Sequence, residues 1–186
     1  MSDRVRLAHL VKSTQQHLSL VPLILSRGWT RGAEIGVLRG KTLFYLLDHV
    51  PGLHMVAVDQ WEQLPLRPDE NAETYIDFDM EYLRGEVARK AARYGGRCRV
   101  LCGGSVSMAD YVDDDSLDFV FVDGDHTAAG VAGDIRAWAP KVKRGGAVLG
   151  HDNDWSTVRR VIDELCPGWV DYGNSVWGIP REGVKL

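Results

Sequence analysis

The chain has 186 residues, of which 45% are apolar and 26% charged, and its formal net charge is −4. This length suits one domain with a substantial core, and the negative charge argues against broad attraction to nucleic acid or to an anionic membrane. No apolar run approaches the ~20 residues that cross a bilayer, and residues 1–10 lack the apolar core of an export signal. We therefore expect a cytoplasmic protein whose residues 1–186 form a single domain.

The first half of the chain alternates predicted helices with predicted buried strands. Residues 1–28 form an N-terminal helical segment, in which apolar periodicity predicts a helix over 5–20 that ends before Pro22. A strand with a glycine turn, a helix and a second strand follow at residues 32–37, 42–49 and 54–59. Residues 61–74 are polar and contain two prolines, which predicts a loop, and residues 75–94 form a long helix that two glycines end.

The second half of the chain continues this alternation and then changes it. Three apolar strands are predicted at residues 98–102, 117–122 and 146–150, and two helices at 128–142 and 155–165. The Gly173-Asn174 turn separates two short runs that favour strands, which predicts a closing hairpin. Apolar strands that alternate with helices indicate a parallel sheet covered on both faces. We therefore predict a doubly wound, Rossmann-like α/β fold whose mostly parallel sheet ends in a C-terminal antiparallel hairpin.

Glycine and polar residues collect where the predicted strands end. In doubly wound sheets, ligands bind beyond the carboxyl ends of the strands, beside the first strand. Gly36 and Gly40 allow the backbone to approach a ligand, and the helix after them presents unpaired N–H groups to an anion. Asp59 lies 23 residues after Gly36, where its carboxylate can accept both hydroxyls of a ribose, and Gly103 and Ser105 can meet the edge of an adenine. Turn formation or helix capping explains each feature alone, but their coincidence predicts a site for an adenosine-containing ligand.

The charge of Glu34 distinguishes between two such ligands. A nicotinamide dinucleotide site requires Gly-x-Gly-x-x-Gly, so that the backbone can reach a pyrophosphate. Here the residue two before Gly36 is Glu34, whose carboxylate would repel a pyrophosphate. S-adenosylmethionine carries an ammonium and a sulfonium group, so the charge argument favours a methyl donor. An NAD-dependent oxidoreductase remains as an alternative, and so does a non-methylating adenosine-binding or hydrolytic relative.

The chain resembles the class I S-adenosylmethionine-dependent methyltransferases in three features. These are the pattern Glu34-x-Gly36-x-x-x-Gly40, Asp59 and the run 118–123. The resemblance covers residues 32–179 and narrows to metal-dependent O-methyltransferases of the catechol and macrolide-sugar types. It implies that the methionine part of the cofactor contacts Gly36, Leu38 and Thr42. The ribose would contact Asp59, and the adenine would contact Gly103 and Ser105. The remaining residues expected at the cofactor site are Glu34, Gly40 and Asp123.

The same resemblance implies a divalent cation held by acids that follow the fourth and fifth strands. The matching residues are Asp123 and Asp152, with Asn153 at the third position. Carboxylate and amide oxygens favour Mg²⁺, with Mn²⁺ or Ca²⁺ as substitutes. His151 stands where the family has an acid or a small residue, so it is a metal ligand, a partner of a ligand, or neither.

His126 is the candidate catalytic base. It lies three residues after Asp123, where the related enzymes have a Lys or His base. An imidazole pKa near ~6.5 suits the removal of a proton at neutral pH. In the alternative interpretation, Asp125 and His126 only cap the helix that follows them.

The methyl acceptor is not encoded in a recognisable motif. Since the chain is acidic and carries no added domain, we expect a small hydroxylated acceptor, such as a sugar or phenolic intermediate. We expect no nucleic-acid or membrane partner. The sequence leaves open whether the protein forms a homodimer. Residues 61–74 are a candidate lid. Cys98, Cys102 and Cys166 lack metal-site spacing and are expected to be reduced, buried thiols.

Overall fold

The computed structural model describes residues 15–62 and 78–186. The strands in these parts of the chain are β1 (Arg31–Ile35), β2 (His54–Asp59), β3 (Cys98–Cys102), β4 (Leu117–Val122), β5 (Val142–Gly150), β6 (Val170–Gly173) and β7 (Val176–Pro180). The α-helices are α1 (Gln16–Arg27), α2 (Lys41–His49), α3 (Met80–Ala92), α4 (Ser105–Met108), α5 (Ala128–Trp138) and α6 (Ser156–Leu165). The elements therefore alternate along the chain in the predicted way.

All seven strands form one sheet with the order β3-β2-β1-β4-β5-β7-β6. The first five strands are parallel, whereas β7 pairs antiparallel with both β5 and β6. The predicted doubly wound sheet with a closing antiparallel hairpin is thus confirmed. Strands β2 and β3 follow β1 on one side of it, and β4 and β5 lie on its other side. A cleft for a ligand opens at such a switch point, here between β1 and β4.

Two apolar cores lie on opposite faces of the sheet. Phe119 and Phe121 of β4 enter the core that contains α1, α2 and α3, and Val120 and Val122 enter the core that contains α5 and α6. This alternation follows from the two-residue period of a strand, because neighbouring side chains point to opposite faces. Among the described residues, none of the helices combines the length and the apolarity that a membrane crossing requires.

Helix α1 differs from the prediction at its C-terminal end. It continues through Pro22 to Arg27, and Gly28 in the left-handed conformation ends it. A proline inside a helix costs about 3 kcal/mol relative to alanine, but Leu20 and Ile24 are fully buried on either side of it. Burial of two such side chains stabilises by about 1.5–3 kcal/mol each and offsets that loss. The predicted start at residue 5 lies outside the described residues.

Three other predicted boundaries are shifted. Helix α3 begins at Met80, where the Asp79 carboxylate accepts a hydrogen bond from the Tyr82 N–H at 2.9 Å, and the predicted residues 75–77 lie outside the described part. Helix α5 ends at Trp138 rather than at residue 142, because Pro140 follows in a short 3₁₀ turn. Strand β5 consequently begins at Val142 rather than at residue 146.

The cysteines are less uniformly buried than predicted. Cys166 is buried, but Cys98 is half-buried and Cys102 is exposed. Both of the latter lie on β3, which has a neighbouring strand on one side only among the described residues. The expectation of three buried thiols is therefore wrong for Cys102. Burial raises the pKa of Cys166 to about 12, so this thiol stays protonated.

Candidate functional site

The loops after β1 and β4 touch each other at the switch point. The Gly36 N–H donates to the Val58 oxygen at 2.9 Å, and the Asp123 N–H donates to the Ile35 oxygen at 2.8 Å. Gly36 has φ 89°, and a Cβ at this position would lie 2.1 Å from the Asp123 oxygen. A residue with a side chain would therefore force the two loops apart, so glycine is required here for two reasons.

Asp59, predicted to hold a ribose, also organises the glycine loop. Its Oδ2 accepts hydrogen bonds from the Val37 and Leu38 N–H groups at 2.9 and 2.8 Å, and its Oδ1 accepts one from the Trp61 N–H at 2.7 Å. The Trp61 indole N–H donates in turn to the Leu38 oxygen at 2.9 Å. Leu38 and Trp61 both have φ 46°, an uncommon conformation for residues with a side chain. One carboxylate thus holds two strained loops together.

Glu34 is a buried carboxylate at the end of β1. Its side chain is only 2% exposed, and Oε2 has no hydrogen-bond partner within the described residues. Burial first, and then the charges of Asp123 and Asp59, raise the pKa of Glu34 well above its usual value. These surroundings therefore favour the uncharged form of Glu34, and a cationic ligand beside it would favour the ionised form.

The start of α2 completes the predicted methionine side of the site. Gly40 precedes the helix with φ 69°, and a Cβ there would lie 2.4 Å from the Phe44 ring. Thr42 is buried in the first helical turn. The structure thus brings Gly36, Leu38, Gly40 and Thr42 to one loop-to-helix junction, as the resemblance implies.

Ser105, predicted to meet an adenine, has partners that the sequence did not indicate. Its hydroxyl donates to Asp134 Oδ1 at 2.5 Å, and the Trp138 indole N–H donates to Ser105 Oγ at 3.1 Å. Burial raises the pKa of Asp134 to about 6, although the hydrogen bond from Ser105 opposes this shift. Since the Ser105 proton is engaged by Asp134, an adenine could use only the remaining lone pair of Oγ or the backbone around Gly103.

Four residues at the ends of β4 and β5 form what we call the acid–histidine cluster: Asp123, His126, His151 and Asp152. His126 Nε2 lies 2.8 Å from Asp152 Oδ2 and 3.9 Å from Asp123 Oδ1. His151 Nδ1 lies 3.1 Å from Asp152 Oδ1 and 3.4 Å from Asp123 Oδ1. The acids expected after the fourth and fifth strands therefore lie close together in the structure.

Electrostatics in the cluster are dominated by the two carboxylates. Burial lowers the pKa of His126, but Asp123 and Asp152 outweigh burial and raise that pKa to about 10. The same competition raises the pKa of His151 to about 11. Burial raises the pKa of Asp152, yet both histidines act against it and hold that pKa well below its usual range. His126, His151 and Asp152 are thus charged near neutral pH when no bound ion competes for the carboxylates.

The donor atoms of the cluster fit a divalent cation. One donor atom each from Asp123, His126 and Asp152 lies within 4.8 Å of the others. His126 Nε2 and both ring nitrogens of His151 are buried and form no aligned hydrogen bond with the described residues. Asp152 has φ 57°, a strained conformation of the kind that occurs at ligand sites. Asn153, the predicted third ligand, is buried next to Asp152.

Helix α5 is capped without the His126 ring. Thr127 Oγ1 accepts a hydrogen bond from the Gly130 N–H at 3.0 Å, and Asp125 Oδ1 accepts one from the Thr127 N–H at 3.0 Å. The His126 ring instead packs against Trp155, with ring centroids 4.7 Å apart. Capping therefore accounts for Asp125 and not for the position of His126.

A known protein family matches most of this site. The sequence profile of a family described as a methyltransferase domain matches residues 33–153, a range that begins in β1 and ends after β5. It includes both the glycine loop and the acid–histidine cluster. A comparison with curated proteins found no match.

Solved structures share the fold. The SAH-bound methyltransferase PaMTH1 from Podospora anserina has a TM-score of 0.62 at 14% identity, over 92% of this chain and 78% of its own. A Staphylococcus aureus protein provisionally described as a caffeoyl-CoA O-methyltransferase has a TM-score of 0.61 at 15% identity, over 96% and 91% of the two chains. The cofactor-bound Rv0187 from MTB has a TM-score of 0.59 at 21% identity, over 90% and 80%. At such identities the likeness shows the fold alone.

Proposed function

The chain belongs to the methyltransferase-domain family, and on this premise we propose that it transfers a methyl group from S-adenosylmethionine to a hydroxyl group of a small molecule, with the help of a divalent cation. One observation supports the proposal above others. Buried polar atoms with no partner among the described residues gather at the ends of β1 and β5: Glu34 Oε2, His151 Nε2 and Asn153 Nδ2. Buried polar groups are nearly always satisfied, so their concentration here supports a ligand site.

S-adenosylmethionine would lie in the cleft between the glycine loop and the end of β3. The unpaired N–H groups at the start of α2 suit its carboxylate, and its ammonium group would stabilise the ionised form of the buried Glu34 carboxyl group. Asp59 already accepts three backbone hydrogen bonds, and the lone pair that remains on Oδ1 can accept one ribose hydroxyl. Gly103 would support the adenine, with Ser105 and Asp134 behind it.

Asp123, Asp152 and Asn153 would hold the cation. When bound, a divalent cation polarises a substrate oxygen and lowers the pKa of its hydroxyl group. The oxygen donors favour Mg²⁺, and the nearby imidazoles make Mn²⁺ a suitable substitute. Because Asp123 and Asp152 lie on the loops after two neighbouring strands, they would fix the place of a cation at this edge of the sheet.

His126 would remove the proton from the acceptor hydroxyl. Its ring can do so only in the neutral state, whereas the carboxylates of Asp123 and Asp152 raise its pKa to about 10. A positive charge between those carboxylates would weaken their hold on the proton and return His126 towards its ordinary pKa. The base and the cation site are therefore expected to depend on each other.

The acceptor class remains a proposal. A sugar or phenolic intermediate fits, because the two carboxylates and His126 suit a substrate with neighbouring oxygen atoms. No nucleic-acid or membrane partner is part of the proposal. The acidic surroundings also weigh against the oxidoreductase alternative, since a pyrophosphate would add negative charge next to Glu34 and Asp123.

Two measurements test the proposal. Calorimetry should detect binding of S-adenosylhomocysteine and no binding of NAD. Transfer of a labelled methyl group to a panel of phenols and sugars should then occur with Mg²⁺ and fall to background in excess EDTA. NAD binding without S-adenosylhomocysteine binding would contradict the cofactor, and full turnover in EDTA would eliminate a catalytic cation.

A further inference from the structure

Helix α1 contributes a buried side chain to the acid–histidine cluster. Gln16, the first residue of α1, is 5% exposed. Its Nε2 donates a hydrogen bond to Asp123 Oδ2 at 3.2 Å, across 107 positions of sequence. Its Oε1 is buried and has no hydrogen-bond partner in the part of the chain that the structure describes. A long polar side chain is seldom buried in this way without a function that depends on it.

The two oxygens of Asp123 consequently have different surroundings. Oδ2 accepts the Gln16 hydrogen bond, and Oδ1 is the oxygen nearest to His126 and His151. An ionised carboxylate only accepts hydrogen bonds, so the amide must present its NH₂ group to it. Gln16 therefore fixes the rotation of the Asp123 carboxylate and keeps one oxygen directed towards the cluster.

Helix α1 is itself held in place within its first half. Ser19 Oγ donates to the Gly173 oxygen at 3.1 Å, and the Asn174 side chain donates to Ser19 Oγ at 2.9 Å. Leu20 is fully buried in the core beside them. The backbone of Gln16 is thus anchored to the closing hairpin, and its amide cannot follow a moving carboxylate without a shift of the helix.

We propose that Gln16 is a positioning residue of the cation site, which orients Asp123 so that Oδ1 faces the cation. The inference rests on the cation site proposed above. Partners that orient metal-binding carboxylates typically account for 10–100-fold in metal affinity. Gln16 would act through Asp123 and would not contact S-adenosylmethionine.

The test compares Gln16→Met with Gln15→Met, using Mn²⁺ as the probe. Methionine keeps the length of the side chain and removes the donor, and Gln15 is an exposed neighbour that makes no side-chain capping bond. Titrations followed by electron paramagnetic resonance, with S-adenosylhomocysteine bound, should show Mn²⁺ affinity at least ~10-fold lower for Q16M and unchanged for Q15M. The affinity for S-adenosylhomocysteine should be the same in all three proteins. Gln16→Leu provides a second variant if Q16M does not fold.

The possible failures are distinguishable. Equal Mn²⁺ affinity in the wild type and Q16M would overturn the role of Gln16 and leave the cation site intact. A wild type that binds S-adenosylhomocysteine but no Mn²⁺ would contradict both the cation site and Gln16. A parallel loss of Mn²⁺ and S-adenosylhomocysteine affinity in Q16M would also overturn the inference, because it would indicate a general disturbance of the cleft.

Discussion

His126 Nε2 lies 2.8 Å from Asp152 Oδ2, which makes the charge of this imidazole depend on what neutralises the carboxylate. In the metal-free protein, the pKa of His126 is raised to about 10. The ring resonances in NMR spectra at pH 8 should therefore be those of a protonated imidazole, and Mg²⁺ should convert them to the neutral form. A neutral ring at pH 8 without metal would contradict the charge balance described here.

The same relationship gives a pH dependence of stability. A raised pKa in the folded state means that the contribution of His126 is complete below about 6.5, its ordinary value, and is lost as the pH rises through about 10. Unfolding in urea should show that the free-energy difference between the wild type and His126→Gln in the metal-free state shrinks between pH 7 and pH 10. A difference that does not change with pH would indicate packing rather than charge.

Ligand-induced stabilisation separates the two adenosine cofactors. S-adenosylhomocysteine at 100 times its dissociation constant should add about 2.7 kcal/mol of stability. For a domain of this size, that corresponds to a rise of roughly 6–10 °C in Tm. NAD should cause no shift, because Glu34 disfavours a pyrophosphate. A shift with NAD alone would reverse the assignment.

Asp59→Ala should weaken S-adenosylhomocysteine binding and also loosen the glycine loop. The variant loses three backbone hydrogen bonds to a carboxylate. Hydrogen bonds to charged groups contribute about 1.5–3 kcal/mol each to the stability of the folded structure. Calorimetry and thermal unfolding measure the two effects. Asp113→Ala, at an exposed aspartate, is the control. Unchanged binding in Asp59→Ala would remove Asp59 from the cofactor site.

His126→Ala should lower kcat and leave S-adenosylmethionine affinity nearly unchanged. A positioned general base typically contributes about 10²–10⁴-fold, and the loss of a group that contacts only the acceptor does not alter cofactor binding. Steady-state kinetics with an identified acceptor provides the measurement, and the exposed His54→Ala is the control. Wild-type kcat across pH 6 to 9 would mean that the base is another residue.

Asp118→Asn should destabilise the fold without affecting the cleft. Its carboxylate accepts the Thr30 and Arg31 N–H groups at 2.7 and 2.8 Å and pairs with Lys143. Burial raises the pKa of Asp118, but Lys143 and the two N–H groups outweigh burial and lower it. The stabilisation is therefore present above about pH 4 and is lost as the pH falls through the lowered pKa. Urea unfolding should show a difference of about 1.5–3 kcal/mol at pH 7 that shrinks at pH 3.

An equal loss of stability in Asp118→Asn at both pH values would contradict the charge explanation. S-adenosylhomocysteine affinity should match that of the wild type, because Asp118 lies at the start of β4, far along the strand from the cleft at its end. A selective loss of affinity would mean that Asp118 influences the site in a way that the contacts do not suggest.

Strand positions could be predicted well from the sequence. Residues 54–59, 98–102 and 117–122 match β2, β3 and β4 at both ends, because buried parallel strands are short apolar runs between turn residues. Helix ends were less predictable. The end of α1 depends on the burial of Leu20 and Ile24, which the local signal of Pro22 does not reveal.

Side-chain partners at the site could be predicted only in part. The convergence of Asp123 and Asp152 follows from topology, because neighbouring parallel strands end at the same edge of a sheet. The contacts of Gln16 with Asp123 and of Ser105 with Asp134 join distant segments and leave no local pattern. The Asp59–Trp61 contact could have been found, since an aspartate two residues before a strained position is typical of an Asx turn.

The closing hairpin determines when the site can form during synthesis. Trp177 of β7 is fully buried, and its indole N–H donates to the His151 oxygen at 3.1 Å. The backbone next to Asp152 thus receives its support from a residue that the ribosome adds some 25 positions later. A nascent chain that has emerged only as far as β5 would contain Asp123 and the backbone contact of β5 with β4, and would lack the hydrogen bond from Trp177 that supports the residue before Asp152.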